Sequence, residues 1–374
     1  DMISQKNIPY PVKQKALVYP FDRQFLPFVR RKRHPHSLEF VHYVSPNGWG
    51  FEGKDAGTVD YGSPLGTAVS CDFDLALASC DAAVFVEADT PLDKGSYILP
   101  KMRQALEAGK DVHCCIRLEP EEYDALRGRA AERDRVFEYY CDMPEQSGRP
   151  LEKSPALKEL HTPVLMVCGI VEGVGKFDAQ LALAGQIRDS GAKASVITSR
   201  SCGRFAGEHS CTGFLFAPIS EAEKIFRFNA LAARIEKEES PDLIIIGVPG
   251  ALLPLDAMNT GWFGVTAYEI TRAVQADAAL ACMYYENYSP EYLSDFERIC
   301  KYRFSLDITA YILENTALDF NDWDVFRMVI EPSLMQSNPL LKNREAPAFP
   351  YAEKQAAFDH VLACLSGNAV MEAI

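Results

Sequence analysis

The sequence predicts an α/β protein of two Rossmann-like, three-layer domains. Three observations carry that expectation. The chain has 374 residues, room for two ordinary domains. Short, continuously apolar runs alternate with segments of helical periodicity, the pattern of a parallel sheet covered on both faces. Near the middle the alternation stops in a stretch holding Pro144, Ser147, Gly148, Pro150, Ser154 and Pro155, all turn formers. The first domain is therefore set at 1–145, a linker at 146–161 and the second domain at 162–374.

In chain order, 15–21 reads as a short buried strand and 22–33 as a helix. The helix ends on Arg30-Arg31-Lys32-Arg33, which suits the negative end of the helix dipole. A nucleic-acid patch is the other reading of those four residues, and a net charge of −14 speaks against it. Segment 37–44 is a strand, 73–79 a helix, 82–87 a strand and 97–108 a helix stopped by Gly109. Segment 111–117 is another strand, with a helix from Pro120. In the second half, 163–168 is a strand, 176–190 a helix closed by Gly191, and 194–198 a strand. A helix over 220–239 opens on the capping box Ser220-Glu221-Ala222-Glu223. Strand 242–247, helix 265–274, strand 278–284, helix 290–302 and strand 307–313 follow. Segment 327–331 reads as a further strand, and 351–365 as an amphipathic helix with Phe358, Val361, Leu362 and Leu365 on one face.

The totals, 48% hydrophobic, 11% aromatic and 24% charged, describe a globular chain with a sizeable core. The acidic balance argues against nucleic acid and anionic membranes as partners, yet allows a local anion site built from backbone N–H groups. With no apolar run long enough to span a bilayer and no signal-peptide layout, the expectation is a cytoplasmic protein. Eleven cysteines, with no C-x-x-C pair, fit free thiols. Cys202, His209 and Cys211 also form a possible metal cluster, at a spacing that matches no common zinc pattern.

The chemistry-bearing segment is Val164-Leu165-Met166-Val167-Cys168-Gly169-Ile170-Val171-Glu172-Gly173-Val174-Gly175-Lys176-Phe177. A buried strand enters a glycine-rich turn and the turn enters a helix, the context a phosphate cradle requires. Glycines let successive N–H groups converge on one anion, the helix N-terminus adds its positive end, and Lys176 adds a mobile charge. A tight strand-to-helix turn without a ligand is the alternative. Arg200 and Arg204 follow the next strand, where the C-terminal ends of parallel strands line the ligand crevice, and could meet a phosphate or a carboxylate. Asn259, Thr260 and Trp262 belong to the same predicted edge.

The spacing Gly169-x5-Gly175-Lys176 resembles the loop of dethiobiotin synthetase and cobyric-acid-synthase-like enzymes, which read Gly-Thr-x-x-x-Val-Gly-Lys-Thr there. The run from Asp242 through Gly247 to Gly250 and Leu255 resembles their second strand and turn, Gly-Ala-Gly-Gly-Leu-x-x-Pro-Leu. The resemblance implies a P-loop NTPase-like second domain that binds ATP or GTP through Gly169, Glu172, Gly173, Val174, Gly175, Lys176, Phe177, Asp178, Arg200 and Gly250. Two positions depart from the family. Phe177 replaces the threonine that helps hold Mg²⁺, and Ile246 replaces an acidic residue. Magnesium loses two oxygen ligands there, with Asp178 or Glu172 as possible substitutes, so its use stays open.

Gly48-Trp49-Gly50-Phe51-Glu52-Gly53 matches the dinucleotide pattern G-x-G-x-x-G, but a loop follows rather than the helix that the mechanism needs. The long loop is read either as a second crevice, with Trp49, Lys54 and Asp55 lining it, or as a packed connector. The opening Lys-Ala-Leu-Val-Tyr-Pro-Phe-Asp, this loop and the modified phosphate turn together are similar to an uncharacterised family of clostridial-type peptide maturation system proteins. That similarity implies a role beside a precursor peptide or a peptide-modifying enzyme and assigns no catalytic residue. Three functions follow as expectations. They are a nucleotide-binding accessory protein, an ATP-dependent ligase using Lys176 with Arg200 or Arg204, and a scaffold with a vestigial loop. A homo-oligomer is compatible with each.

Overall fold

A computed structural model describes residues 13–31, 35–60, 62–90, 92–142, 156–254, 257, 260–321, 324–341 and 345–371. Residues 146–155 of the expected linker, Lys32, Arg33 and Asn259 lie outside them. The chain forms two compact units, Asp1–Cys141 with Arg204–Gly207, and Asp142–Gly203 with Glu208–Ile374. Among the described residues no helix is long and apolar enough to cross a membrane.

The first unit is a six-stranded sheet with helices between its strands. Its elements are β1 (Gln14–Tyr19), α1 (Leu26–Val29), β2 (Leu38–Val44), β3 (Val69–Ser70), α2 (Phe73–Ala78), β4 (Ala82–Phe85), α3 (Leu99–Glu107), β5 (Asp111–Cys114), α4 (Pro120–Glu132) and β6 (Phe137–Tyr139). The strand order is β3-β2-β1-β4-β5-β6, and every pair is parallel. Connections from β1 step outward through β2 and β3, then return across β1 to β4, so the direction reverses beside β1. Local chemistry starts the helices. Asp72 accepts from Leu75 N to cap α2, and Glu119 and Glu122 form a reciprocal box around Pro120 at the start of α4. The helix expected over 22–33 shrinks to a 3-10 turn, Arg23–Phe25, and the four residues of α1. Arg30 is the C-cap of α1, and its side chain binds Asp60 and the carbonyl of Gly57.

The second unit carries β7 (Val164–Gly169), α5 (Lys176–Asp189), β8 (Ala194–Thr198), β9 (His209–Ser210), α6 (Thr212–Leu215), α7 (Glu221–Glu239), β10 (Leu243–Gly247), α8 (Val265–Ala273), β11 (Ala278–Met283), α9 (Pro290–Phe304), β12 (Ile308–Leu313), β13 (Thr316–Asn321), β14 (Asp324–Val329), α10 (Pro332–Ser337), β15 (Ala348–Pro350) and α11 (Lys354–Met371). Seven strands form one parallel sheet in the order β15-β12-β11-β7-β10-β8-β9. The middle strands β7, β10 and β11 are buried along their whole length, which explains their continuously apolar sequences. Ser220 caps α7 by accepting from Glu223 N, and the Glu223 carboxylate in turn accepts from Arg227. The strand expected at 327–331 is half of an antiparallel hairpin, β13–β14. Its first strand, 316–321, was not foreseen from the sequence.

Candidate functional site

The chain leaves the sheet's first strand, β7, for the outlying β8, returns to β10, and then crosses β7 to reach β11. The reversal therefore sits at the C-terminal end of β7, where open α/β sheets hold their ligands. That end is the 169–176 loop.

Glycine is required at three loop positions. A Cβ on Gly169 would lie 2.5 Å from Val174 Cγ2 and 2.8 Å from Val171 O. Gly173 and Gly175 have φ of +74° and +66°, a region that L side chains avoid. Gly175 is the N-cap of α5 and brings no capping side chain of its own. Val174, fully buried, and a 3.1 Å hydrogen bond from Tyr284 OH to the Gly173 carbonyl pin the turn from below and from the β11 side.

Lys176 opens α5 and donates from Nζ to the carbonyl of Gly250. Burial pushes its pKa down, and Arg200 pushes the same way, while Cys168, Cys282 and Glu172 oppose the shift. Burial also pushes the Cys168 thiol up to about 12, so that partner stays neutral at physiological pH. The Arg200 guanidinium lies 5.3 Å from the centre of the Phe177 ring, and its backbone N is held by Thr198 Oγ1 at 3.1 Å. The turn after β10 closes the other side. Gly250 has φ of +70°, Leu252 N donates to the Gly169 carbonyl at 3.1 Å, and Thr266 Oγ1 donates to the Pro249 carbonyl at 3.0 Å. The structure thus gathers Gly169, Gly173, Val174, Gly175, Lys176, Phe177, Arg200 and Gly250 at one sheet edge.

Other expected residues are placed differently. The Asp178 carboxylate accepts from Tyr351 OH and Lys354 Nζ, which ties it to the start of α11. Glu172 is exposed at the loop tip. Ile246 is fully buried between Met166 and Ile197 in register, and offers no oxygen. Arg204 belongs to the first unit. Trp262 is 59% exposed, beside Gly250, in a left-handed conformation. Cys202 and Cys211 are buried, Cys211 Sγ donates to the Thr198 carbonyl, and the His209 ring meets Glu239. Among the described residues no group of three or more His, Cys, Asp or Glu is placed to hold a metal ion.

One residue of the loop's surroundings was not foreseen. Glu314, just past β12 and 9% exposed, sets its carboxylate so close to Gly175 that any Cβ there would strike it. Its backbone N donates to the Met283 carbonyl at 2.8 Å. The rule that strand C-termini line the crevice, applied to 308–313, would have named it.

In the first unit, Asp55 is a hub for its own loop. It accepts from Gly57 N, Leu65 N and Gly66 N at 2.7–2.8 Å, and these backbone bonds lower its pKa. Trp49 is half-buried and Lys54 exposed. A cleft of about 400 Å³ in this unit is bordered instead by Asn47, Glu52, Cys71, Asp72, Asp74 and Lys101. Gly48, Gly50 and Gly53 all have positive φ, and the next element is a 3-10 turn, Ala56–Thr58, rather than an α-helix.

No family model matches the chain, and no curated protein matches it by sequence. Among solved structures, it is similar to a DUF1611 family protein from Anabaena variabilis, at 12% identity and a TM-score of 0.62, over 94% of this chain and 100% of that one. Such a likeness shows the fold, here over nearly the whole of both chains. Partial overlaps include a plasmid partition protein from Borrelia burgdorferi (14% identity, TM-score 0.35, 55% of this chain and 99% of that one). Another is the kinase domain of the Escherichia coli tyrosine kinase ETK (14% identity, TM-score 0.29, 52% and 92%). Scores this low carry no argument.

Proposed function

We propose that the second unit binds ATP or GTP at the 169–176 loop, and that the chain acts as a nucleotide-binding accessory protein in the maturation of a ribosomally made peptide. One observation carries the nucleotide part. An enclosed ammonium, Lys176, sits at the sheet's reversal point on a glycine turn, its proton lent to a carbonyl that a phosphate oxygen can replace, with Arg200 alongside. Binding is favoured over turnover. Phe177 and Ile246 supply no oxygen for Mg²⁺, and Asp178 is engaged by Tyr351 and Lys354. The ligase reading needs such ligands and is the weaker of the two. The peptide part rests on the sequence resemblance.

The test is thermal unfolding with ATP and with GTP, with and without Mg²⁺, on wild type and Lys176→Ala. A nucleotide at a hundred times its dissociation constant stabilises by about 2.7 kcal/mol. A shift in wild type that is lost in the variant supports the site. No shift with either nucleotide sinks the proposal, and Mg²⁺-dependent turnover would favour the ligase. A precursor peptide should bind more tightly to the nucleotide-loaded protein. Equal affinity in both states would leave the nucleotide no part in positioning a peptide.

A further inference from the structure

A cavity of about 350 Å³ opens beside the first half of the loop, against Ile170 and Val171. Its volume lies within the range of small-molecule sites. The segment that follows β11 walls it with Tyr284, Tyr285, Tyr288 and Tyr292 and with Glu286. No lysine, arginine or histidine lines it among the described residues.

Three of the four hydroxyl protons are already committed. Tyr284 OH donates to the Gly173 carbonyl, Tyr288 OH to the Tyr284 carbonyl at 3.0 Å, and Tyr285 OH to the Leu334 carbonyl at 3.4 Å. What these groups still offer is acceptor lone pairs, aromatic rings and the Glu286 carboxylate, an exposed acid. Burial pushes the Tyr288 phenol up, and Tyr292 and Glu286 reinforce it, so the phenol stays neutral at physiological pH. The start of α9 borders the cavity and would by itself favour an anion. That end is already answered, because Ser289 Oγ accepts from Tyr292 N and Glu291 stands in the first turn.

We propose that this cavity binds a small organic cation, an ammonium or guanidinium head group, held by the tyrosine rings and Glu286. The four tyrosines form the aromatic wall that such cations need, and the carboxylate supplies the counter-charge. Because Ile170 and Val171 belong both to the cavity wall and to the loop, an amine-bearing molecule bound there would sit beside whatever anion the loop holds.

The probe is choline, set against its uncharged isostere 3,3-dimethylbutan-1-ol, by calorimetric titration of the full chain. Wild type should bind choline about tenfold more tightly than the alcohol. Glu286→Gln and Tyr292→Ala change exposed side chains, and unaltered unfolding midpoints will certify the fold. Each should weaken choline about fivefold or more and leave the alcohol unchanged, while Lys176→Met should leave choline binding intact. Equal binding of choline and the alcohol would overturn the proposal, as would an unchanged affinity in Glu286→Gln. Displacement of choline by adenosine would assign the cavity to a base instead. Titration with tripolyphosphate, which has no base and no cation, reports the loop alone and separates failure of this site from failure of the nucleotide site.

Discussion

The two units share a plan and diverge at one turn. Each is a parallel sheet whose direction reverses beside its first strand. In the first unit β1 runs into Pro20-Phe21-Asp22, and the Asp22 carboxylate closes the turn by accepting from Gln24 N and Asp89 N. In the second unit β7 runs into Gly169, and glycines carry the chain round to Lys176. Both turns bury an ionisable group, and burial drives each toward its neutral form. Asp22 is raised to about 6, by burial and then by Asp89, and Lys176 is lowered. The sheet fixes where a ligand could sit. The turn decides whether backbone N–H groups are satisfied inside the protein, as by Asp22, or turned toward an incoming anion.

Substituting glycines in the two units should expose that difference most strongly. Gly175→Ala must place its Cβ against Glu314 at a φ of +66°. We expect a loss of about 2 kcal/mol of stability and of all ligand-induced stabilisation, since the left-handed penalty of about 1–2 kcal/mol adds to the cost of displacing the Glu314 carboxylate. Gly48→Ala, at φ of +90° with nothing within 4 Å, should cost only the backbone term, about 1 kcal/mol. Urea unfolding of the two variants checks the pair, and equal costs would mean that the second turn is no more constrained than the first.

Lys176→Met comes next. It removes the charge and keeps most of the volume. Tripolyphosphate affinity should fall at least tenfold, because a charge-assisted hydrogen bond contributes about 1.5–3 kcal/mol. Stability should hold or rise, since the variant no longer buries an ammonium. A variant that binds as well as wild type would show that the turn holds anions without its lysine, or holds none.

These two positions also show what the sequence made legible. Gly169, Gly175, Lys176 and the buried strand before them were recognisable because each obeys a local rule: an apolar run, then glycine, then a helix start. Arg200 was named by its place after a strand, and it lies against Phe177. Glu314 was missed because its approach to Gly175 is a long-range contact between strand ends, which no local pattern records. The partners of Asp178 were hidden for the same reason, as Tyr351 and Lys354 lie 173 and 176 residues away. The four tyrosines after β11 drew no reading from the sequence, and only the fold brings them to the loop's side. In the first unit, the helix expected over 22–33 is a 3-10 turn, Arg23–Phe25, followed by the four residues of α1.

Asp22 offers a pH test of the first turn. A carboxyl raised from 3.8 to about 6 on folding keeps its stabilising proton at low pH and loses it as pH rises through 6. Its contribution is therefore complete below about pH 4 and gone above about pH 7, a change on the order of 1–3 kcal/mol. Asp22→Asn cannot titrate. The stability of wild type relative to this variant should fall from pH 4 to pH 7, as followed by urea unfolding. A constant difference would show that the carboxyl is not desolvated and that the first turn is open like the second.

The smallest expected effect is the mirror image at Lys176. Burial and Arg200 lower the free ammonium's pKa below 10.5. A phosphate oxygen beside Nζ would raise it again, so binding takes up a proton wherever the free amine is neutral. Affinity for tripolyphosphate, taken relative to Lys176→Met so that the ligand's own titration cancels, should be flat below the lowered pKa, then weaken as pH rises through it. The limit is about tenfold per pH unit, the slope for one linked proton. Lys176→Met should lack this dependence altogether. Calorimetric titration of both proteins between pH 7 and 10 makes the measurement, with the range set by the ordinary lysine value of about 10.4. Parallel curves for the two would mean that no buried amine is coupled to the anion. The second turn would then bind, if at all, through its backbone alone, and the contrast between a turn closed by Asp22 and one armed with Lys176 would reduce to glycine content.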